Sequence, residues 1–221
     1  VKKLRTEYLK DPLGIDVRAP HLSWQIAAPR RNARQRAYQI QVAPGTSGLA
    51  GGAEPHWDSG KVASDRSTAI PYGGPETRSS QRYVWRVRVW DQDDRRSAWS
   101  DPAWWEMGLL EEGAWTADWI EPDWEEDAEA FKPCPFLRRD FALDQPVASA
   151  RLYITAHGLY EAWLNGKRVG DQVFTPGYTA YDRRLQYQVY DVTDLLQQGD
   201  NVLGAILGDG WYRGKVYIAG D

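Results

Sequence analysis

The chain has 221 residues and a net charge of −4, with its basic residues scattered, so it lacks the basic face that a nucleic-acid partner requires. Cys134 is the one cysteine, which excludes an intrachain disulfide, and nothing resembles a zinc-ligand set. No run approaches the roughly 18 apolar residues of a membrane span, and the N-terminal VKKLRTEYLKDPLGI has no continuous apolar core of a secretion signal, so the expectation is a soluble chain without membrane contact, cytoplasmic rather than secreted.

Twelve Trp and twelve Tyr against a single Met, with 13 Pro and 20 Gly, favour strands and turns, because aromatics suit a pleated, half-buried surface and Gly and Pro punctuate it. The predicted class is all-β. Leu4 to Tyr8 alternates weakly, Asp11-Pro12-Leu13-Gly14 reads as a turn, and Leu22, Trp24 and Ile26 fall on one face of a strand. The cluster Arg30, Arg31, Arg34 and Arg36 reads as a solvated loop or strand edge. From Ala37 to Ala43, Tyr38, Ile40 and Val42 share one side and Gln39 and Gln41 the other. Residues 44 to 52 form a small, Gly-rich loop with nothing to bury.

His56 to Val62 predicts a short edge strand with a turn, and Ser67 to Tyr72 another. The clearest strand of this half is Arg82 to Trp90, with Tyr83, Trp85, Val87 and Val89 on one face and Arg86 and Arg88 on the other. Asp91 to Arg96 is a polar hairpin loop, and Ala98 to Met107 returns as a last strand through Trp99, Trp104 and Trp105. Seven short strands in roughly 100 residues describe an immunoglobulin or fibronectin type III sandwich closed by Trp24 and Trp85. The acidic run Trp124 to Glu129 reads as a solvated linker.

A second β-domain starts near Phe136, with an alternating strand over Ala150 to Ala156. Asn165-Gly166 then predicts a hairpin, since a type I′ turn needs positive φ at both central positions. Alternation before it places Tyr160, Ala162 and Leu164 inside, and Leu159, Glu161 and Trp163 outside. Leu185, Tyr187 and Val189 form a further strand, Asp191 to Leu196 one helical turn capped by Asp191 or Thr193, and Asn201 to Leu207 a central strand apolar on both faces. That strand delivers Asp209 to Gly214 as a loop. Its Gly-Asp-Gly-Trp-Tyr-Arg-Gly places flat apolar rings beside a carboxylate and a guanidinium, the side-chain set that grips a sugar. The competing reading is a Gly-rich turn whose Trp211 plugs the core.

The ordered motifs LRTEYLKDPLGID, HLSWQI, WDSGKV, YVWRVRVWD and AWS, then AHGLYEAWLNGKRVGD, TPGYTAYDRRLQYQVYDVTDLL and LGDGWYRG, closely resemble the N-terminal part of bacterial α-L-rhamnosidases, glycoside hydrolase family 78, over nearly the whole chain. The resemblance implies a fibronectin-like sandwich over residues 1–108, an acidic linker over 109–134, and over 135–221 a jelly roll of galactose-binding type that stops a few strands early. In some members of that family the jelly roll is a calcium-assisted rhamnose-binding module. Catalysis there belongs to a later (α/α)6 barrel, where an acid and a base invert the anomeric carbon, a geometry that needs carboxyls roughly 6.5–9.5 Å apart.

No catalytic residue is therefore expected in this chain. Neither Asp209 with Asp182 nor Glu161 with Asp171 has a spacing that fixes a dyad, and His21, His56 and His157 read as isolated turn or surface residues. The resemblance points to Asp209, Trp211, Tyr212 and Arg213 for sugar contact, with Tyr181, Asp182 and Trp163 as weaker partners, and to Asp182 and Asp209 as candidate calcium ligands. The implied partners are L-rhamnose or a rhamnosylated glycan or glycoside, and the catalytic barrel of a parent enzyme. Two alternatives stand beside this: a purely structural or protein-interacting pair of β-domains, and a free-standing lectin. Exposure of Trp211 and Tyr212 discriminates a sugar face from a core.

Overall fold

The alternating runs of the first half pair as strands. In the computed structural model, which describes residues 1–46, 49, 54–124 and 133–214, the chain divides into two units, Val1–Thr116 and Ala117–Asp221. In the first, β1 (Lys2–Thr6), β2 (His21–Gln25), β3 (Gln35–Pro44), β4 (Trp57–Asp58), β5 (Val62–Ala63), β6 (Ile70–Pro71), β7 (Arg82–Asp91) and β8 (Ala103–Glu106) follow in chain order. They form two antiparallel sheets, β1-β2-β6 and β4-β3-β7-β8, with β5 also on β3. The period-2 pattern of β3 and β7 turns Ile40, Val42, Trp85 and Val87 inward against Leu22, Trp24 and Trp105, all fully buried. Tyr83 and Trp105 stack at 5.3 Å, and Trp24 Nε1 donates to buried Gln35 Oε1 at 2.9 Å, so the indole's one donor is satisfied inside the core.

The outward side of β3 and β7 is a layer of planar groups. Register places Gln39 opposite Arg88 and Gln41 opposite Arg86. Each guanidinium donates from Nε and Nη2 to its glutamine Oε1 at 2.7 to 3.0 Å. Both glutamines then donate to Asp58. Trp99 meets Arg86 and Arg88, whose guanidinium carbons lie 4.7 and 4.4 Å from its ring centre. The expected strand from Ala98 is thus corrected. Only Ala103–Glu106 is strand, because between Ser97 and Ser100 the serine hydroxyls accept from Val89 N and Val87 N in place of backbone carbonyls. Ile26 is also corrected: β2 ends at Gln25 and leaves Ile26 exposed. The strand expected over Ser67 to Tyr72 shrinks to Ile70–Pro71, since Pro71 has no amide to continue a ladder. The loop expected to bury nothing does bury Leu49, which packs with Ala43 and Val84 on the outer side of the sheet.

The second unit has β9 (Phe136–Leu143), β10 (Arg151–Ile154), β11 (Leu159–Leu164), β12 (Lys167–Arg168), β13 (Gln188–Asp191) and β14 (Gly199–Gly208). One sheet runs β12-β11-β14-β9, so β14 is central as its double-sided apolar pattern demands, and β10 pairs with β13 in a second sheet. Tyr160, Ala162 and Leu164 are buried with Val169 and Val192, packed by Leu203 and Leu207. Asn165 and Gly166 take φ of 50 and 76°, the type I′ requirement. Asn165 also donates to Leu195 O and Asn201 Oδ1 and accepts from Val202 N, while buried Asn201 bonds the Gln197 and Gly199 backbone, which ties the hairpin to the start of β14. A 3₁₀ turn, Thr193–Leu195, is begun by Asp191 Oδ1 accepting from Thr193 N and Oγ1. The strand expected from Leu185 starts only at Gln188, where pairing with β10 begins.

The acidic residues 125–129, and residues 47, 48 and 50–52 of the Gly-rich loop, lie outside the described residues. Among the described residues no helix is long and apolar enough to cross a membrane.

Candidate functional site

The site is built where β14 ends against the start of β11. Gly158 holds φ of 86°, and a β-carbon on it would lie 2.3 Å from Gly208 O and 2.8 Å from Asp209 O, so only glycine lets these backbones meet. Gly210, at φ 52°, turns the chain over Leu159, whose Cγ would be 2.7 Å from an added β-carbon. The chain then winds into one helical turn, α1 (Gly210–Arg213), in place of the expected loop. Asp209 has helical dihedrals, so its carbonyl accepts from Tyr212 N and Arg213 N, both at 3.2 Å. This turn aims consecutive side chains in different directions, which splits Trp211 from Tyr212.

Both rings are on the surface, Trp211 at 42% and Tyr212 at 46% exposure, which removes the core-plug reading. Tyr212 stacks on His157 at 4.5 Å and 16°, and His157 stacks on Trp119 at 4.3 Å and 11°. Tyr181 meets Tyr212 edge to face at 5.4 Å. Trp211 instead sits between Phe174 (6.1 Å, 60°) and Tyr178 (6.0 Å, 65°), and Tyr178 reaches Tyr181 at 6.2 Å, which closes the group. Thr175 anchors the turn carrying Phe174 and Tyr178: its amide carbonyl accepts from Tyr160 N and its hydroxyl donates to Tyr160 O, both at 2.9 Å.

Of the residues predicted from the sequence, the fold thus unites Trp211, Tyr212 and Tyr181, with exposed Asp209 and Arg213 on the same turn. The Asp209 carboxylate has no bonding partner among the described residues. Asp182 follows Tyr181 with its carboxylate 3.7 Å from Arg183 and open to solvent. Trp163 is not brought in. It pairs with Gly204 four residues along β11 from Leu159, about 13 Å at strand rise, and its Nε1 is buried without a partner among the described residues. Four rings of the cluster are not among the predicted residues: Trp119, His157, Phe174 and Tyr178. The signals for three of them are the His-Gly pair, whose glycine marks a close backbone approach, and two aromatics flanking a Thr-Pro-Gly turn too short to bury either; Trp119 has no local signal.

Calcium prefers about six to eight oxygen ligands. Among the described residues no three of His, Cys, Asp and Glu converge to hold a metal.

Comparison with known proteins agrees with this layout. A family model described as the Rha78A-like, N-terminal immunoglobulin domain matches residues 1–111, and one described as the α-L-rhamnosidase N-terminal domain matches residues 145–220. The chain is 39% identical over 218 residues to an α-L-rhamnosidase of Formosa agariphila, covering 96% of this chain and 23% of that protein. An Alteromonas α-L-rhamnosidase is 38% identical over 213 residues, with 93% and 23% covered. Among solved structures, α-L-rhamnosidase from Dictyoglumus thermophilum superposes with a TM-score of 0.87 at 34% identity, covering 96% of this chain and 25% of that one. An α-L-rhamnosidase of Streptomyces avermitilis in complex with L-rhamnose gives 0.52 at 34% identity, with 95% and 22% covered.

An immunoglobulin-like sandwich followed by a jelly-roll-type unit, with a ring cluster at the end of the latter's central strand, defines a tandem β-sandwich protein. The chain belongs to the α-L-rhamnosidase family and corresponds to its N-terminal region. It spans about a quarter of the length of these relatives.

Proposed function

We propose that this chain is the non-catalytic N-terminal part of an enzyme that hydrolyses terminal α-L-rhamnose from glycosides, with the bond-breaking carboxylates in a separate catalytic domain of the parent. The second unit contributes a sugar-contacting face. The observation that carries this is the exposed Trp211 ring on the same turn as Arg213 and as the Asp209 carboxylate, which has no bonding partner among the described residues. The indole offers an apolar platform to the C–H face of L-rhamnose and its methyl group, Asp209 accepts hydroxyl protons, and Arg213 donates. Tyr181 links the two groups of rings, meeting Tyr212 at 5.4 Å and Tyr178 at 6.2 Å. No step is assigned to calcium.

Calorimetric titration of the chain with L-rhamnose tests this reading. Saturable heat is expected with or without chelator, and Trp211→Ala should weaken binding by about tenfold or more, the loss of one stacking platform. No heat in either condition would sink the sugar role.

A second reading, docking of the same face on the remainder of the parent enzyme, is favoured by exposed Val173 and Ile120 in this unit, which offer a sugar nothing to hydrogen-bond. Protection of Trp211 and Tyr178 from oxidative footprinting in the full-length enzyme without sugar would support it.

A further inference from the structure

The rings of the second unit fall into two kinds. Trp119 and Tyr212 each lay one face parallel on His157, which is how a protein pins its own segments, and remain 61 and 46% exposed. Phe174, Trp211 and Tyr178 meet only at inclined angles, 60 and 65°, and keep 65, 42 and 72% of their surface open. They form a row at roughly 6 Å intervals, which Tyr181 continues at 6.2 Å.

Phe174 carries a further mark. It holds φ of 57°, a left-handed conformation that a bulky residue adopts only when its surroundings impose it. Here Thr175, bonded twice to Tyr160, fixes the turn immediately after it. That bonded turn holds Phe174 beside Trp211 at the surface, where hydrophobic burial gives no reason for it to be.

Resting on the sugar-contact reading, we propose that this row takes an oligosaccharide of at least two consecutive rings, with Trp211 holding the L-rhamnose unit and Phe174 or Tyr178 the neighbouring sugar. A monosaccharide covers one platform and leaves the others wet. The occupant is a glycan, not a flat aromatic aglycone, because the platforms incline against one another. A planar polycycle would lie on one ring and clash with the next, whereas a glycosidic link lets successive rings tilt. The exposed polar groups beside the row, Asp209, Arg213 and Asp182, suit hydroxyls along such a chain.

Calorimetry of this chain with L-rhamnose, an α-linked L-rhamnose disaccharide and the trisaccharide tests the proposal. The longer probes should bind at least about tenfold more tightly than the monosaccharide, one extra stacking platform's worth. One of Phe174→Ala and Tyr178→Ala, each a surface truncation, should cancel the disaccharide's gain and leave L-rhamnose binding unchanged; a gain retained in both variants overturns the row. L-rhamnose binding that is lost in Trp211→Ala, with no gain on lengthening the probe, overturns the oligosaccharide row while the sugar-contact reading stands. Absence of binding by every probe overturns both. Loss of monosaccharide binding in Phe174→Ala with an unchanged far-ultraviolet spectrum would also overturn the row, since it would place one sugar across both rings.

Discussion

Trp211 and Tyr212 are neighbours in sequence with different tasks. Tyr212 closes a stack over His157, and Trp211 faces the open row. One helical turn divides them, and a glycine just before β11 permits that turn. Gly158→Ala would put a methyl group onto the Gly208 and Asp209 carbonyls at a positive φ. We expect a destabilisation of about 1–3 kcal/mol or more by chemical denaturation, with sugar binding weakened because Asp209 and Trp211 move. Gly166→Ala, which has a positive φ but open space around it, is the control that should cost less. Equal losses at the two glycines would mean that close approach is not what Gly158 supplies.

At the scale of elements, the polar face of the first unit makes its own prediction. Burial alone would push the Asp58 carboxyl up, but the donors Gln41, Gln39 and Gly60 N–H, with the Arg88 charge, outweigh it and hold the group below the ordinary value of 3.8. A carboxylate whose folded value lies below its unfolded one stabilises the fold above the unfolded value, and that contribution is lost as pH falls through the folded one. Thermal stability should therefore drop below about pH 4, and Asp58→Asn should flatten that acid-side drop; an identical acid profile in the variant would count against the linkage. Trp99→Ala, which removes two cation–π contacts, is expected to cost about 1–2 kcal/mol by denaturation at neutral pH. In the second unit, Asn201→Leu would leave backbone groups of Gln197 and Gly199 without their partner, at a cost of about 1–3 kcal/mol.

At the scale of the whole molecule, the proposed division of labour requires that the chain by itself not turn over p-nitrophenyl α-L-rhamnoside; turnover above background by this chain would overturn the non-catalytic assignment. Fold class, the first sandwich with its Trp24 and Trp85 core, the Asn165-Gly166 hairpin and the central position of β14 were all legible in the sequence. Each rests on local physics: side-chain alternation at period two, positive-φ chemistry at a turn, or apolar residues on both faces of one strand. The ordered motifs made the family legible as well. The composition of the ring site was half legible, since the chain carries Trp211 and Tyr212 openly beside Asp209 and Arg213. Only the tertiary structure decided that Phe174, Tyr178, His157 and Trp119 join them and that Trp163 does not. These residues come from segments far apart in the chain, and no local rule measures the distance between them. Their meeting depends on the register of β11 against β14, on the close approach of Gly158 to Gly208, and on the Thr175 turn bonded to Tyr160, which are long-range pairings that exist only once the sheets have formed.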